Sequence, residues 1–176
     1  LEDRVVQRVL AGEMVEERSR GHNDWVIGTE LGLPLRNLKD PASLFEFDRR
    51  YPAKMSDYKD DPNDENHDWG GVHINSTIIS HAFYLLAEGL DGAIGLRSAA
   101  SIIYRCQTQH LFAQSQFIDF RLGCISSAEE LFGKNSTEAR VTAQAFDAIE
   151  VFATPATPDP TPIPTVPSPD STLFVY

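Results

Sequence analysis

The chain has 176 residues, 41% hydrophobic and 23% charged, enough for one globular domain with a real core. Its 26 acidic against 15 basic residues give a formal net charge of −11, which argues against nucleic acid as a partner because phosphate binding needs clustered Lys and Arg. No apolar run reaches the roughly 18 residues that a membrane-spanning helix needs, so no membrane partner is expected.

Residues 2–19 space Val5, Val6, Val9, Leu10, Met14 and Val15 helically against a charged face, predicting a first helix. Residues 21–72 are rich in Gly, Asn, Asp and Pro and predict a long irregular region, the kind of segment that usually carries function in a compact domain. Within it, Asp57, Asp60, Asp61, Asp64, Glu65 and Asp68 form an acidic run lacking the glycine and terminal glutamate of an EF-hand loop, which predicts a solvated loop rather than a dedicated calcium site. From Asn75 the pattern turns helical. One stripe holds Ile78, Ile79, Ala82, Leu85 and Leu86 and ends at Gly89. A second, over 94–112, holds Leu96, Ala99, Ala100, Ile103 and Tyr104; a third, over 116–132, holds Phe117, Phe120, Cys124, Ala128 and Leu131 and stops at Gly133. Asn135, three residues before Glu138, suggests a capping-box start for a helix carrying Val141, Ala145, Phe146 and Ile149. The short connections predict a mainly α fold, an antiparallel helical bundle preceded by the irregular region. Residues 153–176 hold seven of the eleven prolines, alternating with Thr, Ser and Asp, and read as a disordered linker or tail after a domain spanning 1–152.

Two cysteines occur, Cys106 and Cys124, on what look like successive helices; they are either a disulfide across the pair or two buried thiols. His22, His67, His81 and His110 share no metal-ligand spacing and read as exposed or core-satisfied residues. Asn75-Ser76-Thr77 and Asn135-Ser136-Thr137 are formal glycosylation sequons, but both fall at predicted helix starts, where Asn and Ser are expected as caps.

The most informative stretch is Asp68-Trp69-Gly70-Gly71-Val72-His73-Ile74-Asn75-Ser76. Two consecutive glycines let the backbone turn sharply and bring a carboxylate within reach of an imidazole five residues later. A carboxylate on one ring nitrogen fixes the tautomer and favours the imidazolium, which suits a proton donor or an oxyanion stabiliser. An ordinary Gly-Gly turn with a helix-capping polar cluster fits the spacing too.

The run Asp-x-Gly-Gly-Val-His-Ile-Asn-Ser followed by His81-Ala82-Phe83-Tyr84-Leu85 resembles the signature of the thermolysin family of zinc metalloendopeptidases, in the C-terminal, mostly helical half of the catalytic domain. Met55-Ser56-Asp57-Tyr58, Leu35-Arg36-Asn37-Leu38-Lys39-Asp40-Pro41 and Asp24-Trp25-Val26-Ile27-Gly28 resemble further blocks of that family, with Ile103-Tyr104-Arg105 and Ala145-Phe146-Asp147-Ala148-Ile149 following in the expected order. The resemblance implies that His73 hydrogen-bonds the tetrahedral oxyanion, that Asp68 orients it, and that Arg36 binds the substrate carbonyl. It also implies that Leu35 and Ile27 line an apolar pocket favouring a hydrophobic residue after the cleaved bond. Departures occur: Trp69 stands where Asn is common and Ile79-Ser80 replaces a usual Pro-Asn. In the calcium-binding stretch Asp24 and Glu30 keep oxygen donors while Val26 and Thr29 replace carboxylates, leaving calcium dependence open.

Family members bind zinc through a His-Glu-x-x-His helix and a later glutamate. No His-Glu-x-x-His occurs in the chain, and Val5 and Val9 align where that glutamate and the aspartate behind it are expected. Two expectations follow. In the first, the chain is the C-terminal lobe of a secreted zinc endopeptidase, inactive alone, whose zinc ligands lie outside it and whose partners are the N-terminal lobe and a peptide or protein substrate. In the second, it is a non-catalytic, metal-free helical module of the same fold that binds peptides or other proteins.

Overall fold

A computed structural model describes residues 25–29, 32, 34–46 and 48–152. The predicted helix over 2–19, Val5, Val9, His22, Asp24, Glu30 and the proline-rich stretch over 153–176 lie outside these residues.

The region before the helices is irregular, as its composition predicts. β1 (Val26–Ile27) pairs antiparallel with β2 (Arg36–Asn37), and β3 (Phe45–Glu46) with β4 (Arg49–Arg50). Strands this short contribute few ladder bonds, so other contacts fix the path. Asn37 accepts the backbone N–H groups of Lys39 (3.1 Å) and Asp40 (2.9 Å), and the chain then tightens into 3-10 turns at Pro41–Ser43, Met55–Asp57 and Glu65–His67.

Four α-helices follow among the described residues. α1 (Asp68–Tyr84) runs into a π-helical turn at Leu85–Gly89, where a Cβ on Gly89 would sit 2.6 Å from the Tyr84 ring. α2 spans Leu96–Gln109, α3 Phe117–Phe132 and α4 Thr137–Ala148. The boundaries follow the predicted stripes, with differences at the starts. α3 opens on a reciprocal cap that sequence reading missed, in which the Gln116 backbone N–H donates to Asp119 at 2.8 Å. The cap of α4 is Ser136, whose hydroxyl accepts the Ala139 N–H at 3.1 Å, while Asn135 takes a left-handed turn (φ 64) one residue earlier. Right-handed helix in α1 begins directly after Gly71, ahead of the predicted start, so Asn75 is not a cap but a residue of the helix interior, 3% exposed.

The helices pack in sequence, α2 on α3 and α3 on α4, with α1 and its π turn closing against α4. Ile78, Ile102, Val141, Phe146 and Ile149 are fully buried, each worth about 1.5–3 kcal/mol of burial. The close approach of α2 and α3 requires Gly123, because a Cβ there would lie 2.7 Å from the Cys106 sulfur and 2.9 Å from His110 Cβ. Both cysteines sit at this crossing as buried free thiols, and burial together with Cys106 pushes the Cys124 thiol well up.

Candidate functional site

The entry to α1 is a turn of the wrong hand. Asp68, Trp69, Gly70 and Gly71 have φ of 55, 50, 85 and 70, a full left-handed turn before the chain reverses into right-handed helix. Each non-glycine residue in this region costs about 1–2 kcal/mol, so the turn persists only because its surroundings hold it. The Trp69 and Gly70 N–H groups donate to the carbonyls of Asp64 (2.9 Å) and Pro62 (3.1 Å). Gly71 is further constrained by space: a Cβ there would lie 2.9 Å from the Asp61 carboxylate and 3.0 Å from the Asn75 amide.

Asn75 clamps the turn from the helix side. Its amide donates to the carbonyls of Lys59 (2.9 Å) and Gly70 (3.2 Å), and its oxygen accepts the Lys59 N–H (2.9 Å). Thr77, also buried, donates its hydroxyl to the Pro52 carbonyl at 2.7 Å. Buried polar atoms are tolerated only when satisfied, and here their partners are the loop that frames the site.

The reversal of hand places Asp68 over the first turn of right-handed helix. One carboxylate oxygen accepts the His73 backbone N–H at 2.8 Å, and the other lies 2.5 Å from His73 Nδ1. Burial raises the Asp68 carboxyl, but the hydrogen bonds from the His73 ring and backbone and the electrostatic attraction of that ring outweigh it and leave the group below the ordinary carboxylate range. An ionised Asp68 can only accept, so Nδ1 carries the proton and Nε2 is left to face outward on a side chain 69% exposed.

Arg36 is brought to the same place from the first hairpin. Its guanidinium donates to the His73 carbonyl (3.2 Å), to the Leu35 carbonyl (2.8 Å) and to the Tyr51 hydroxyl (3.3 Å), and it stacks 4.9 Å from the centre of the Tyr51 ring. Ser76 donates to the same His73 carbonyl at 2.7 Å. Asp68, His73 and Arg36 therefore form one constellation. Leu35, adjoining Arg36, is 39% exposed, whereas Ile27 packs partly against the core around Trp25 and Leu38. Tyr51 and Asn75 are members that sequence reading missed. An Asn among apolar helix positions was the available signal for the second; Tyr51 carried none.

The remaining described histidines have local partners: His67 binds Asp64 (2.8 Å), His81 reaches the Leu38 carbonyl (2.8 Å) and His110 faces Glu130 (3.2 Å). Among the described residues, no group of three or more His, Cys, Asp or Glu converges to hold a metal ion.

Comparison with known proteins bears on this arrangement. Residues 7–151 match the family model described as the thermolysin metallopeptidase, alpha-helical domain. The thermostable neutral protease NprT of Geobacillus stearothermophilus is 32% identical over 156 residues, covering 81% of this chain and 27% of that protein. The bacillolysin of Brevibacillus brevis is 34% identical over 155 residues, with the same coverage of 81% and 27%. Among solved structures, the precursor of protealysin, a metalloproteinase from Serratia proteamaculans, is 31% identical with a TM-score of 0.59, covering 73% of this chain and 41% of that one. The chain thus spans about a quarter of the length of the curated relatives it matches, 27% in the first case.

Proposed function

The chain belongs to the thermolysin metallopeptidases, whose α-helical domain it matches over residues 7–151, and from that membership we propose that it is the oxyanion-stabilising lobe of a secreted zinc endopeptidase. The observation that carries this reading is the pairing of an ionised Asp68 with Nδ1 of an otherwise exposed His73, braced through its carbonyl by Arg36. Zinc, and the water it would activate, would be held by residues outside this chain, which has no His-Glu-x-x-His.

When a peptide carbonyl is attacked, negative charge gathers on its oxygen. In this reading the doubly protonated His73 ring, held through Nδ1–H by Asp68, donates Nε2–H to that oxygen, and the donor is already oriented before charge develops. Arg36 has two roles in this reading: it fixes the helix turn carrying His73, and it offers a cation to a substrate carbonyl. Leu35, exposed next to it, is the apolar contact for a hydrophobic side chain beyond the cleaved bond, with Ile27 behind it.

The test is expression of the gene's whole open reading frame and assay of His73→Ala on a blocked peptide with leucine after the scissile bond. Loss of one oxyanion donor is expected to lower kcat about 100- to 1,000-fold, or about 2.7–4 kcal/mol, with KM little changed. A kcat within about threefold of wild type, in a protein that is folded and turning over, overturns the assignment. An absence of peptidase activity in the wild-type product favours the metal-free module instead.

A further inference from the structure

The two cysteines of the chain have no part in the reading above, and the fold brings them to one point. Cys106 lies near the C-terminal end of α2 and Cys124 in the middle of α3, both wholly buried in the core that also takes Ile78 and Ala82 of α1. The Cys106 sulfur sits directly against α3. It is 3.7 Å from the Phe120 carbonyl oxygen, the group that the helical ladder pairs with the Cys124 N–H, and 2.7 Å from where a Cβ on Gly123 would stand. A side chain at position 123 would hold the sulfur off; glycine admits it. Burial first, then the hydrogen bond and electrostatic interaction with Cys106, push the Cys124 thiol up, as expected of two thiols that meet across the crossing.

Other uses of the pair fit poorly. Buried, protonated thiols are weak nucleophiles, and among the described residues no group of three donors forms around them to hold a metal ion. Bonding to each other fits. A disulfide needs the two Cα atoms within about 7 Å, an approach that packed helices reach only where the residues between them are small, and Gly123 meets that demand beside Cys124.

We propose that Cys106 and Cys124 close to an intramolecular disulfide that pins α2 to α3. The oxidant is a small-molecule disulfide of the glutathione class. One cysteine thiolate attacks it, forming a mixed disulfide and expelling one glutathione thiol; the second cysteine, losing its proton, attacks the protein sulfur of that mixed disulfide and expels the other. Two protein thiols thus give up two electrons and two protons, which end on two glutathione thiols. Because both sulfurs are wholly buried in the packed bundle, the exchange belongs to folding, before α2 and α3 seal, and the finished bond is shielded from reductant. That the bond forms where the protein works rests on the secreted reading, since cytosolic thiols stay reduced; that the fold favours it does not.

The experiment refolds the product of the gene's whole open reading frame from denaturant in mixed reduced and oxidised glutathione, alkylates the remaining thiols in denaturant, and digests with trypsin without reductant. Cleavage after Arg105, Arg121 and Lys134 separates residues 106–121 from 122–134, each holding one of the two cysteines. The two peptides are expected as one linked species that reduction splits. Reductant is expected to lower the thermal midpoint of the oxidised protein by about 5–15 °C, and Cys106→Ala should lose most of that reductant-dependent shift. Recovery of both peptides singly alkylated, or a reductant shift as large in Cys106→Ala as in wild type, overturns the proposal. The same peptide map is read from protein exported to a bacterial periplasm, so a failure to refold leaves the test intact. None of these outcomes depends on turnover, so failure of the disulfide and failure of the peptidase reading are separate results.

Discussion

His73 is held by atoms far from it in the chain, and its neighbours matter as much as its own ring. Asn75 makes three bonds to backbone groups of the framing loop and the left-handed turn. Replacing it with Ala is expected to destabilise the domain by about 1–3 kcal/mol, the cost of stranding buried polar groups, with a lower midpoint in thermal unfolding as the readout. An unchanged midpoint would mean that the loop holds the turn without it. Being buried and fully bonded, Asn75 is also closed to the sugar transfer its sequon formally invites. The same logic places Trp69 apart: it is exposed, in a strained backbone region, and contributes its ring to a surface rather than to a core.

The loop over 54–67 is positioned by the far end of the bundle. Glu150, just past α4 in a left-handed conformation (φ 63), accepts the Lys54 ammonium at 2.7 Å and the Ser56 backbone N–H at 2.9 Å, while the Met55 N–H donates to the Ile149 carbonyl at 2.9 Å. The Lys54 ammonium first, then Ser56, hold the Glu150 carboxyl down at about 2, against an ordinary value of 4.5. A depressed folded value means stability that is fully present above about 4.5 and drains away as pH falls toward about 2. Thermal midpoints of wild type and Glu150→Gln are therefore expected to differ at neutral pH and to converge over that window. A gap that persists unchanged at pH 2 would show that the anchor does not work through the ionised carboxylate. In the helices themselves, Gly123 lets α2 and α3 approach until Cys106 and Cys124 share one buried crossing.

For the molecule entire, the role proposed for Asp68, His73 and Arg36 is to stabilise charge, and that role supplies no nucleophile. The described residues contain no donor cluster for a metal, and the whole sequence contains no His-Glu-x-x-His. The chain expressed alone is accordingly expected to bind no stoichiometric zinc and to cleave no peptide, as elemental analysis and a peptidase assay would report. One zinc per chain together with turnover would overturn the division of roles proposed here. Much of this was legible in the sequence, because helical burial repeats every 3.6 residues and leaves its period in the chain: the stripes ending at Gly89 and Gly133 are where α1 with its π turn and α3 end. The spacing of Asp68, Gly70, Gly71 and His73 likewise announced a turn bringing carboxylate to imidazole, since that contact spans five residues. What needed the tertiary structure is what depends on the path of the chain between distant points. Tyr51 under Arg36, Asn75 on Lys59, and Glu150 on Ser56, 94 residues away, obey no period, because a hydrogen bond across a fold depends on position in space and leaves no spacing to read. The early start of α1 was hidden for a related reason: the left-handed turn before it is sustained by the Pro62 and Asp64 carbonyls, and local propensity alone does not favour it.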